Sequence, residues 1–336
     1  MQRATLIKVG KKTLQIGLPI LVLIFFVKLV TSEWSELTAH AFHWDARWMA
    51  LASGGFLLQV VTYAFIWRSI LRRLGYRLPL LTAQRIYLAS EFVRYIPGNV
   101  WHVLTRMLWV SKYGVPRPVA FASMVIELLT KLAAGAFIFA LSLLFWGNIG
   151  AVHSLLSGRG VVLIVAVAVF LMLAMLVGLH PRVLGGALNW GLRRLKREPI
   201  ELGLRYRDIL MITFFWCLSW IVAGCAFYAM LASLWANLPL TALPICIGVY
   251  ALAWDIGFLS FITPSGLGFR EGVIAALFVL ALPFLPIALG PLAAIIARVV
   301  STLAELICVS IAYLTGSRQM REVQREQTPL SRAKVS

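Results

Sequence analysis

The chain has 336 residues, 61% of them hydrophobic and 13% charged, with a mean hydropathy of +0.87 and a formal net charge of +18. Soluble domains carry about 25% charged residues, so this composition excludes an ordinary soluble protein and indicates an integral membrane protein. The positive charge raises nucleic acid as a partner, but the basic residues sit in short loops beside apolar runs, where they act as topology signals or meet anionic lipid. No nucleic acid partner is expected.

In chain order, residues 1–12 are basic, with Arg3, Lys8, Lys11 and Lys12, and the apolar run 13–30 is long enough to cross about 30 Å of hydrocarbon as a helix. This start has the shape of a signal peptide, but Ala39-His40-Ala41 lies too far beyond Val30 for ordinary cleavage, so 13–30 reads as a retained anchor. After a loop with Glu33, Glu36 and Asp45 comes a span at 48–67, followed by Arg68, Arg72, Arg73, Arg77 and Arg85. Residues 80–113 hold two helical stretches broken at Pro97-Gly98-Asn99. A span at 118–146, an outer loop 147–159 and a span at 160–180 lead to the basic loop 181–208, with Arg182, Arg193, Arg194, Lys196, Arg197, Arg205 and Arg207. The next span is 209–235. Residues 241–283 then repeat the broken pattern: an apolar run, the break Pro264-Ser265-Gly266-Leu267-Gly268, and a short helix ending near Pro283. The last span, 287–314, is followed by a tail, 315–336, containing Arg318, Arg321, Arg325, Arg332 and Lys334.

Loop charge places both termini in the cytoplasm. Proline removes a backbone donor and glycine admits unusual backbone angles, so each break ends a helix. At membrane depth such a break is tolerated only where it is buried in protein or faces a water-filled cavity. Basic residues flank the first broken segment and none flank the second, so the two enter from opposite sides. The fold expected is therefore an all-α membrane protein with about six full spans and two broken or re-entrant helical hairpins. Its halves, 13–146 and 160–314, form an inverted repeat, a plan in which the discontinuities mark the binding site. The alternative is eight spans or more, because 241–262 is long enough to cross fully.

The runs EFVRYIPGNVWHVLTR at 91–106, SKYGVPRPVAFASMVIELL at 111–129 and TPSGLGFREG at 263–272 resemble the flippase-type transmembrane region of the lysyl-phosphatidylglycerol synthase family, over roughly 10–315. The resemblance is to its stand-alone form, since the chain leaves no room for the soluble transferase domain of the multidomain relatives. It implies a lipid flippase or translocator in the bacterial inner membrane, acting on a phospholipid or polyprenyl-linked lipid. A membrane enzyme acting on a lipid phosphate, or a membrane partner of a soluble lipid-modifying enzyme, are the alternatives. Whether the protein is an enzyme, and its oligomeric state, stay open.

Charged residues inside apolar segments are expensive and mark functional sites. Arg94, Arg106, Arg270 and Arg298 are the expected headgroup contacts, with Pro97, Gly98, Asn99, His102, Pro264, Gly266 and Gly268 completing the substrate-binding set. Arg270 opens a helix after a glycine-rich break, where free amides and the helix dipole favour an anion and a guanidinium fork suits phosphate. Glu91, Glu127, Lys131, Asp255, Glu271 and Glu305 are candidates for proton transfer or charge balance, with Glu127 and Lys131 spaced as an i,i+4 pair. Arg298, Thr302 and Glu305 fall on one stripe. No nucleotide motif, catalytic constellation or cofactor is expected, and no metal: the cysteines, Cys217, Cys225, Cys246 and Cys308, all lie in apolar runs without a CxxC spacing, and His40, His43 and Asp45 match ligand spacing only crudely. Trp34, Trp44, Trp48, Trp67, Trp101, Trp109 and Trp146 fall near expected span ends, as membrane-interface anchors do.

Overall fold

The computed structural model describes residues 31, 44–92, 101–146, 166, 169–170, 173, 177–194, 203–260, 266 and 268–332, and the secondary structure among them is helical. In chain order the helices are α1 (Ala46–Arg73), α2 (Leu80–Phe92), α3 (Trp101–Ser111), α4 (Arg117–Ser142), α5 (Pro181–Arg194), α6 (Tyr206–Leu234), α7 (Ala242–Leu259), α8 (Phe269–Ala281) and α9 (Leu289–Arg332). A 3-10 turn, Leu143–Phe145, extends α4.

Local chemistry sets the ends. Asp45 caps α1 by accepting from the Arg47 amide at 2.7 Å and the Trp48 amide at 3.4 Å, and Arg72 and Arg73 occupy its last turn, where the helix dipole favours cations. Pro118 lies in the first turn of α4, where a missing amide hydrogen removes no helical bond. Asp208 reaches back to the Arg205 amide at 3.1 Å to start α6.

Among the described residues, five segments are long and apolar enough to cross a membrane: Ala46–Arg73, Arg117–Phe145, Tyr206–Leu234, Ala242–Leu259 and Leu289–Ala312. Four correspond to the expected spans at 48–67, 118–146, 209–235 and 287–314. The fifth is the first arm of the second broken segment, as the alternative span count anticipates. The described parts of the first broken segment, Leu80–Phe92 and Trp101–Ser111, are 13 and 11 residues long, about 20 and 16 Å at 1.5 Å per residue. The expected span 13–30 lies outside the described residues, as does most of 160–180. Beyond the expected span end near 314, α9 continues to Arg332 through a stretch rich in Arg, Glu and Gln, good helix formers.

Packing relates the two halves element by element. α1 lies on α6; α4 packs on α7 as α9 packs on α2; α6 packs on α4 as α1 packs on α9; and α2–α3–α4 form a contiguous series mirrored by α7–α8–α9. Small residues permit the close crossings that membrane helices favour. A Cβ on Gly55 of α1 would come within 2.7 Å of the Ala226 Cβ on α6, and one on Gly224 of α6 within 2.7 Å of the Ile247 Cβ on α7. The core is aromatic around these crossings, with Tyr250 packed against both Phe56 and Phe227.

Candidate functional site: a buried charged layer between the broken helices

On α2, Tyr87, Ser90 and Glu91 are spaced i, i+3, i+4 and share one face. Arg106 of α3, 2% exposed, is turned onto that face. Its guanidinium donates to Ser90 Oγ at 3.0 Å, to Glu127 Oε2 of α4 at 2.7 Å and to the Glu91 carboxylate. The Tyr87 hydroxyl donates to the other Glu127 oxygen at 2.6 Å, and the Tyr87 ring lies 3.8 Å below the guanidinium. Trp67 of α1 stands 5.4 Å from the same group and donates its indole N–H to Ser123 Oγ at 3.1 Å. A buried arginine is tolerated when its charge is matched and its donors are satisfied. Arg106, expected to hold a headgroup, is a clamp joining α2, α3 and α4.

One turn beyond Glu127 on α4 stands Lys131, the residue expected as its i,i+4 partner. Glu127 is taken by Arg106 and Tyr87, whereas the Lys131 ammonium, 5% exposed as a residue, stands among aromatic rings. Its Nζ lies 3.7 Å from the Trp254 ring of α7, 4.0 Å from Tyr63 of α1, and 5.0 and 5.7 Å from Trp216 and Trp220 of α6. The Trp220 N–H donates to the Lys131 carbonyl at 3.1 Å. Next to Trp254, Asp255 is 5% exposed and its carboxylate fills the space a side chain on Gly135 would need, one turn along α4 from Lys131.

The second break supplies a third group. Gly266 and Gly268 have φ of +67° and +89°, angles that side chains disfavour. The Gly268 amide opening α8 donates to Glu271 Oε2 at 2.7 Å, while Glu271 Oε1 accepts from Arg298 of α9 at 2.6 Å. The amide expected to greet an anion thus meets the chain's own carboxylate, and Arg298 is its partner. Glu271→Gln would keep an acceptor for Gly268 but lose the charge facing Arg298, and is expected to lower stability by about 1–2 kcal/mol in a denaturant titration. Arg270 points elsewhere, over the Tyr250 ring at 4.7 Å, with Nη2 buried and without a hydrogen-bond partner.

Between α2, α3, α4 and α7 lies a cavity of about 200 Å³. Glu91, His102, Arg106, Glu127, Lys131 and Trp254 line it together with apolar side chains. Glu305 of α9 lies with Glu91 and Tyr87 at a neighbouring gap. The interior layer is close to neutral: Arg106, Lys131, Arg270 and Arg298 stand against Glu91, Glu127, Asp255, Glu271 and Glu305. Arg94, Pro97, Gly98, Asn99 and Pro264 lie outside the described residues. Among the described residues no group of three or more His, Cys, Asp or Glu side chains could hold a metal, and Asp45 serves as a helix cap.

The aromatic residues were the part missed from sequence. Trp67 and Trp146, expected at the membrane interface, are 0% and 5% exposed, and Trp216 and Trp220 line the lysine's surroundings. Their i,i+4 spacing on α6, beside an intramembrane lysine elsewhere in the chain, was the available signal.

A comparison with curated proteins gives no match. The family model described as "Lysylphosphatidylglycerol synthase TM region" matches residues 14–308. Together with described residues that form helices long and apolar enough to cross a membrane, that match over most of the length places the chain in the family of the lysylphosphatidylglycerol synthase transmembrane region, a membrane family linked to phospholipid handling.

Proposed function

We propose that the protein is a lipid translocator, moving the polar headgroup of a phospholipid or lipid-linked precursor through its interior while the acyl chains stay in the bilayer. The observation that carries this is the cavity lined by charged side chains between the first broken segment and the first arm of the second. Ionisable groups at that depth are costly and are kept for pathways and binding sites. The correspondence of packing between α1–α4 and α6–α9 supports an inverted repeat whose halves open alternately, with the site near the midplane. On this reading the protein resides in a bacterial inner membrane with both termini cytoplasmic, as the loop charges direct. His102 and Arg270 are the proposed headgroup contacts; Arg106 holds the first hairpin to α4.

The test is reconstitution into liposomes with fluorescent anionic, zwitterionic, aminoacylated and polyprenyl-phosphate lipids. Saturable movement of at least one class is expected. No movement of any, with the fold confirmed by circular dichroism, refutes the proposal, and conversion of a labelled lipid into a new species assigns an enzyme instead.

A further inference from the structure

The surroundings of Lys131 are those of an ammonium receptor. Tyr63, Trp216, Trp220 and Trp254 come from three helices and converge on one cation, with Nζ 3.7–5.7 Å from the four rings. Two of the four rings belong to one face of α6, and Trp254 also stacks on Phe258 at 5.4 Å with an interplanar angle of 12°. Aromatic faces attract ammonium groups by their quadrupole, most strongly when desolvated, and cages of this kind recognise primary and quaternary ammonium ligands. Trp254 and Lys131 both line the 200 Å³ cavity, so the cage opens onto the proposed path.

Two buried polar atoms nearby lack hydrogen-bond partners, and they are opposite in character. Asp255 Oδ1 is an acceptor on a residue 5% exposed, adjacent to Trp254. Arg270 Nη2 is a donor, and the Arg270 Cβ lies 3.1 Å from where a Cβ on Gly257, two positions beyond Asp255, would stand. Buried groups are seldom left unsatisfied without a role. A lone anionic phosphate fits poorly here, because Arg106 and Arg298 are already matched by carboxylates and the α8 amide is taken by Glu271. A ligand with one ammonium and one phosphate carries a partner for each orphan.

We propose that the cage of Tyr63, Trp216, Trp220 and Trp254, with Asp255 beside it, is the ammonium subsite for a zwitterionic phospholipid headgroup, occupied here by Lys131. The side chain of Lys131 is a resident stand-in. When the headgroup enters, its ammonium takes the cage and the Asp255 carboxylate, and its phosphate is met by Arg270 and the displaced Lys131. The exchange conserves charge in the buried layer: one cation leaves the rings as another arrives, and the displaced one pairs with the incoming anion. This deepens the translocator reading and rests on it for the ligand being a lipid.

The first experiment is equilibrium binding of radiolabelled choline to the purified full chain in detergent. Choline must compete with Lys131 in the wild type, so Lys131→Met is expected to bind it about tenfold more tightly. Adding Trp254→Leu to that variant should remove the gain. Equal affinity in wild type and Lys131→Met, or a gain that survives loss of Trp254, overturns the proposal. A second measurement needs no variant: Lys131 in the wild type should react about tenfold faster with an amine-selective label when glycerophosphocholine is present than when glycerophosphate is, read by mass spectrometry. Labelling that glycerophosphocholine leaves unchanged contradicts the exchange even if Lys131→Met fails to fold. Choline binding with no lipid moved in liposomes would retain the cage and refute the translocator. Lipid movement without the gain in choline affinity would do the reverse.

Discussion

Replacing Arg106 by methionine is expected to destabilise the protein by about 3–5 kcal/mol, since removal of one partner strands the others in a buried site. The guanidinium is 2% exposed and serves Ser90, Glu91 and Glu127 at once. Without it, the Glu91 and Glu127 carboxylates lose the buried cation that serves both. Methionine fills comparable volume, so the loss reports charge and hydrogen bonds more than a void. Lysine cannot rescue it, because an ammonium does not reproduce the fork that reaches both carboxylates. The combination Arg106→Met with Glu127→Gln is expected to recover part of the loss, a non-additivity that identifies the pair. Denaturant unfolding followed by circular dichroism measures both. A change below about 1 kcal/mol for Arg106→Met would mean that the side chain lies free for a ligand, as surface ion pairs contribute no more than that.

Gly266→Ala is expected to be nearly as damaging, at about 2–4 kcal/mol, by strain and overlap together. The residue has φ of +67°, and a Cβ there would meet the Gly257 backbone, with the Gly257 Cα only 2.6 Å away. Backbone cannot swing aside as a side chain can. The end of α7 and the break before α8 would have to separate, carrying Arg270 away from Tyr250. Gly272→Ala provides the contrast within the same element: it lies inside α8 with nothing within 4 Å of its added methyl. That change should stabilise slightly, by about 0.5–1 kcal/mol, because glycine weakens a helix interior. Thermal unfolding of the two variants side by side checks the sign as well as the size. Gly266→Ala matching the wild type would remove the close backbone approach from the account.

Much of this architecture was readable because a bilayer demands long apolar runs and penalises irregular backbone. The spans at 48–67, 118–146 and 209–235 follow α1, α4 and α6 closely. The break at Gly266 and Gly268 was legible for the same reason, since glycine there meets positive φ. The partners of the buried charges were not legible. Sequence spacing reveals neighbours one helical turn apart, and it suggested Glu127 with Lys131. Glu127 meets Arg106, 21 positions away on another helix, because a guanidinium from α3 reaches both its carboxylate and that of Glu91. Lys131 also faces rings of α1, α6 and α7. Tryptophan misled in the same way: position along the chain cannot separate an interface anchor from Trp67, whose indole is buried on Ser123. Arg270 lies in the first turn of α8 as the break implied, and the anion expected at that helix end is supplied by the neighbouring Glu271.

The most direct test of the central claim is to fill the cavity and leave the outer surface alone. Leu128 lines the cavity on α4, whereas Leu108 on α3 is 45% exposed on the outer face. In proteoliposomes, Leu128→Trp is predicted to slow lipid translocation about tenfold or more, and Leu108→Trp to leave it within about twofold, since a blocked path acts on the moving headgroup and a changed outer surface does not. Equal rates for Leu128→Trp and the wild type, with both folded, would show that the headgroup does not pass between the broken helices.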